Sequence, residues 1–149
     1  MVSTTPSPVE DIGSASPSDG PARALRVASI GGMLVGAVLV AGSAAVHLHL
    51  WLIGYKHIPT IGPLFLLQVI TGFLLAGIVA GTRRVLPALG AVAFLASTIG
   101  GLVLSATVGI FGFHDGFNAP WALSSLVLEG AGVAVLSVAA ALRWSASRR

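Results

Sequence analysis

The chain has 149 residues, of which 55% are hydrophobic and only 9% charged, with zero cysteines, a formal net charge of +3 and a mean hydropathy of +0.94. Soluble domains are roughly half apolar and a quarter charged, so the charge deficit excludes a water-soluble domain and places the chain in a bilayer. The length allows one bundle of spans of about 20 residues each and no second folded domain. The lack of cysteine removes disulfides, thiolate metal ligands and redox chemistry through paired cysteines.

Residues 1–24 open with MVSTTPSPVEDIGSASPSDGPA, rich in Ser, Thr, Pro and Gly and without an apolar run. Such a stretch has nothing to bury against its ordering entropy, and a disordered tail is expected. Four apolar segments follow, over about 25–53, 63–81, 85–111 and 121–142, each ended by Pro, Gly or charge. At about 1.5 Å per residue each can cross a hydrocarbon core of about 30 Å as a helix. An open sheet would leave its edges unpaired in lipid, and a barrel would show alternating segments of about ten residues. The expected fold is therefore an all-α integral membrane four-helix bundle over 25–142, closed by a basic tail at 143–149. Arg23 and Arg26 followed by VASIGGMLVGAVLVA could suggest a cleaved leader ending near AGSAA. The apolar pattern resumes at once with Val46, Leu48, Leu50 and Trp51, so an uncleaved first span is the better reading.

Seven arginines (Arg23, Arg26, Arg83, Arg84, Arg143, Arg148 and Arg149) flank one side of this arrangement, against Lys56 alone on the other. Short basic loops stay in the cytoplasm, which predicts a multi-pass plasma-membrane protein with both termini cytoplasmic and residues 54–62 and 112–120 outside. The same bias toward Arg, with abundant Ala, Gly and Val, suggests a GC-rich bacterial gene. The basic residues stand at helix ends without interleaved stacking aromatics, so the pI near 10.7 reflects topology and lipid contacts rather than nucleic-acid binding.

All four histidines (His47, His49, His57 and His114) fall in the outer half, with the interfacial aromatics Trp51, Tyr55 and Trp121. Helical spacing divides them. His47 and His49 point about 200° apart on one helix, so their HxH spacing is poor metal-ligand geometry. The first span aligns Gly32, Gly36, Ser43 and His47, the second Gln68, Thr71 and Gly72, and the fourth Ser125, Glu129 and Gly132. The third carries Ala93, Ser97, Gly101, Ser105 and Gly109 at strict fourth positions, a small-residue face of the kind on which membrane helices pack closely. Small and hydroxyl residues in these patterns are ordinary bundle packing, with polar contacts worth about 0.6 kcal/mol each.

Glu129 stands apart as the sole acidic residue well inside a span. A carboxylate at that depth is costly unless protonated, paired or hydrated. His47 and Gln68 lie at comparable depth, so His47, Gln68 and Glu129 form the candidate intramembrane polar site, with Glu129 and His47 as its lead pair. His57, His114 and Asp115 form a second candidate, in the outer loops. No HExxH, GxSxG or paired-aspartate signature occurs, and no catalytic residue is assigned.

The stretch HLHLWLIGYKHIPTIGPLFLLQ, residues 47–68, resembles a signature of small, uncharacterised four-span bacterial membrane proteins, carried by Gly54, Tyr55, Pro59, Thr60, Gly62 and Pro63. Lys56 stands where arginine is more usual. The resemblance implies membrane location and topology and supplies no activity. Pro59 and Pro63 enforce a non-helical connection, and Thr60 is suited to cap the second helix.

The leading functional expectation is a structural or accessory membrane protein, partnered by lipid and by a larger complex or further copies of itself, because no sequence feature demands catalysis. Its main alternative is an oligomeric small-solute or proton-coupled transporter using Glu129. Haem or metal binding on the outer side is a third reading, through an intermonomer His47 pair or the loop residues; no cofactor is predicted outright.

Overall fold

The computed structural model of the protein describes residues 19–148, most of them in four helices: α1 (Asp19–Ile53), α2 (Ile61–Thr82), α3 (Val85–Thr107) and α4 (Ala122–Ser147). All four are long and apolar enough to cross a membrane. At about 1.5 Å per residue, α2 and α3 match the hydrocarbon thickness closely, whereas α1, with 35 residues, reaches about 50 Å and must extend beyond it. Short connections alternate the helix directions. One end of the bundle therefore gathers residues 54–60 and 108–121, with all the histidine-bearing segments, and the other gathers the start of α1, Arg83 and Arg84, and the end of α4. These are called the histidine end and the arginine end below.

Several boundaries differ from those the sequence suggests. Residues 1–18 of the expected tail lie outside the described residues, and 19–24 belong to α1. Ala22, Ala24 and Leu25 are good helix formers, and Pro21 is tolerated in a first turn, where its missing N–H has no helical partner. α3 stops at Thr107 rather than 111, because Gly109 (φ 80°), Phe111 (φ 52°) and Gly112 (φ 77°) turn the backbone left-handed. Ile110 and Phe113 then exchange two backbone hydrogen bonds of 2.8 Å, closing a tight reversal. α4 continues through Ser147, so most of the expected basic tail is helix, and the Arg148 guanidinium lies 4.7 Å from the Trp144 ring centre. Thr60 does precede α2, but its side chain makes no capping bond. At φ 67° it is the middle of a γ-turn, in which the Ile61 N–H donates to the Pro59 carbonyl at 2.8 Å.

α1 packs most extensively on α4 and α2, α3 packs on α4, α2 and α3 meet over a smaller area, and α1 barely touches α3. Small residues set the close approaches. A Cβ on Gly32 would stand 2.9 Å from Ala139 Cβ, one on Gly36 would fall inside the fully buried Leu136 side chain, and one on Gly72 would lie 2.9 Å from Ala44 Cβ. Gly132 of α4 receives Leu95 of α3 in the same way. Met33, Val40, Val79, Ala88, Ala91, Leu95 and Leu136 complete the core. The outward surface carries a belt of exposed apolar side chains, among them Val38, Leu67 and Leu86. Such a surface would aggregate in water and is stable against lipid.

Within the bundle, the small-residue face expected on the third span is buried only at Ser105. The buried positions of α3 are Ala88, Ala91, Leu95 and Ser105; Ala93 and Ser97 are exposed, and a Cβ on Gly101 would touch nothing within 4 Å. Gly109 lies beyond the helix altogether. Leu95 decides the rotation, because the recess at Gly132 accepts it and turns the small stripe away from α4.

Candidate functional site

The turned-away stripe leaves room. α2 and α3 touch where Phe94 lies against Gly72 and Leu75 faces Gly90, and they diverge toward the histidine end around a cavity of about 450 Å³. Ser97, Gly101 and Ser105 of α3 face Gln68 and Thr71 of α2 across it. Leu64, Leu67 and Ser97 line the cavity and are also exposed, so it opens sideways between the two helices.

The deep wall is polar. Ser43 and His47 stand one turn apart on α1, and Ser125 and Glu129 one turn apart on α4, so the close α1–α4 packing brings two polar pairs face to face. The Ser43 and Ser125 hydroxyls each donate to Glu129 Oε1 at 2.8 Å. His47 Nδ1–H donates to the Ser43 carbonyl at 2.9 Å, which leaves Nε2 to accept the Gln68 amide N–H at 2.9 Å. His47 Nε2 stands 4.0 Å from Glu129 Oε1. The structure thus brings His47, Gln68 and Glu129 into one network, and it adds Ser43 and Ser125 to it. Glu129 is only 1% exposed, yet among the described residues Oε2 has no hydrogen-bond partner and no fully buried side-chain polar atom is left unpaired. Oε2 therefore faces the cavity, which Glu129 lines.

A second polar pair sits at the mouth. The Tyr55 hydroxyl donates to Asp115 Oδ2, and the Asp115 backbone N–H donates to Ser105 Oγ at 3.0 Å. The Tyr55 ring packs at 4.9 Å from Phe65 and 5.8 Å from Phe113, and Phe65 reaches His47 at 5.2 Å. Burial pushes the Tyr55 phenol up from its ordinary value, and the hydrogen bond to Asp115 and its negative charge add to the shift.

The outer-loop candidate is not assembled. Among the described residues no three His, Asp or Glu side chains form a group that could hold a metal ion, so His57, His114 and Asp115 are not gathered as ligands. His57 and His114 are exposed, and the His114 ring covers Gly109, where any Cβ would strike it. His49 points away from the network and meets the Trp121 ring edge-on at 5.2 Å. Lys56 lies 5.9 Å from the Trp51 ring centre. Sequence reasoning missed the Tyr55–Asp115 bond, which joins residues 60 positions apart, and the aromatic walls. Phe65 was within reach of it: three residues before Gln68, it shares that residue's helix face.

Comparison with protein-family models, with curated proteins and with solved structures finds no match for this chain.

Proposed function

We propose that this multi-pass membrane protein binds a small molecule in the cavity at its histidine end, with Glu129 as the anchor, and that this end faces out of the cell. One observation carries the proposal over a purely structural role: a buried carboxylate keeps one oxygen for an open cavity instead of spending both on neighbours. A packing clasp gains nothing from a partnerless oxygen or from about 450 Å³ of space beside it, since empty volume forfeits dispersion contacts. Ligand sites are mostly apolar hollows of roughly 300–1,000 Å³ with a few convergent polar groups, and this cavity has that make-up. The outward orientation is supported by the seven arginines expected on the cytoplasmic side, none of which belongs to the connections at the histidine end. Binding of this kind is the step a transporter needs, and it equally serves a subunit that hands its ligand to a larger complex.

Gly101→Leu supplies the test. Gly101 lines the cavity and a Cβ there meets nothing within 4 Å, so a larger side chain at this position reduces the space for a ligand. Protein purified from native membrane and extracted for mass spectrometry should yield a small molecule that is missing from Gly101→Leu material of equal thermal stability. The same extract from parent and variant would overturn the proposal.

A further inference from the structure

We infer that the cavity takes a lipophilic organic monocation, which pairs with the Glu129 carboxylate at its deep wall. The inference rests on the reading that the cavity is a binding site, and it assigns the chemical class. Among the described residues, the charged ones that line the cavity besides His47 are Glu129 at the deep wall and Asp115 at the mouth, both acidic, with no lysine or arginine. Its other walls are apolar or aromatic, including Leu50, Leu102 and the rings of Phe65, Phe94 and Phe113. An anion would meet two carboxylates there with no countercharge. A neutral apolar molecule would leave Glu129 Oε2 unpaired, a cost that buried polar groups impose on any ligand that cannot satisfy them. A cation with an apolar body satisfies both demands, because aromatic faces attract positive charge and a desolvated carboxylate pairs with it far more strongly than water allows.

The surroundings of Glu129 leave its pairing to a ligand. Among the described residues His47 on α1 is the one titratable side chain beside it, and its two ring nitrogens are engaged by the Ser43 carbonyl and the Gln68 amide. α2 contributes Gln68 and Thr71, α3 contributes Ser97, Thr98 and Ser105, and Asp115 already accepts the Tyr55 hydroxyl at the mouth. Among the described residues no lysine or arginine in the cavity pairs with Glu129, and an unpaired carboxylate at that depth is expensive, so a bound cation supplies the missing partner. The lateral opening between α2 and α3 suits a ligand whose apolar body already partitions into lipid.

Tetraphenylphosphonium is the probe, measured by equilibrium dialysis against full-length protein in detergent, with empty micelles as the blank. Saturable binding above the micelle blank is expected. Glu129→Gln, which removes the pairing charge, should bind roughly tenfold more weakly or worse. Gly101→Leu, which leaves Glu129 intact, should also lose binding. Equal binding by Glu129→Gln and parent overturns the inference. If neutral triphenylphosphine oxide binds and the cation does not, the cation assignment fails while cavity binding stands. If neither probe binds and Gly101→Leu yields the same extract as the parent, both fail.

Discussion

Tyr55 is the chain's one tyrosine, so its titration can be read without interference from another phenol. Burial and the Asp115 carboxylate hold its proton more tightly in the folded protein than in the unfolded chain, where a phenol titrates near pH 10. The native state therefore binds more protons than the unfolded state above about pH 10, and stability must fall there as pH rises, while it is complete below that value. The expected result is no phenolate absorbance from native protein at about pH 10, where denatured protein shows it plainly. The melting temperature should drop above that pH in the parent and stay flatter in Tyr55→Phe. Phenolate absorbance in native protein at the same pH as in denatured protein would contradict the half-buried Tyr55–Asp115 bond.

Glycine plays opposite parts on α1 and α3, and the difference shows at the scale of whole helices. On α1, Gly36 lets the helix close on Leu136 of α4, a fully buried side chain with no space to swing into. Gly36→Ile should overpack that crossing and cost about 1–3 kcal/mol. On α3, Gly101 faces open space, and Gly101→Ala should be neutral or should stabilise by up to about 1 kcal/mol through helix propensity. Thermal unfolding of the two variants in detergent compares them directly; a larger loss from Gly101→Ala than from Gly36→Ile would mean that the α3 stripe is a packing face after all.

For the whole molecule the decisive question is which way the bundle sits in its membrane. Seven of the eight Lys and Arg residues stand in the first turns of α1, between α2 and α3, or in the last turns of α4 and after it, and the proposed orientation on that basis puts the cavity in the outer leaflet. The natural lack of cysteine makes this easy to test. In intact cells an impermeant thiol reagent should label His57→Cys and His114→Cys, and should reach Thr4→Cys and Ser147→Cys only after lysis. Labelling of position 4 or 147 in intact cells would invert the orientation and put the mouth of the cavity in the cytoplasm.

How much of this could be read beforehand divides along the range of the forces involved. Four apolar segments punctuated by Pro, Gly and Arg were legible as four helices because lipid obliges each span to satisfy its own backbone, which makes span length and polarity local properties. Glu129 stood out for a similar reason: one acidic residue deep in a span is conspicuous against an apolar background. Its meeting with His47 and Gln68 followed from depth and helical periodicity, both of which can be counted along the chain. Periodicity also placed the small residues of α3 on one face, but it does not say whether that face is packed or left open. That was decided by Leu95 entering the recess at Gly132, a contact between residues 37 positions apart, and it turned the stripe toward what became the cavity. The Tyr55–Asp115 bond likewise depended on how the two connections at the histidine end meet. Sequence by itself determined the spans and their polar residues; the fit of a few side chains across helices decided that those residues surround a cavity rather than a seam.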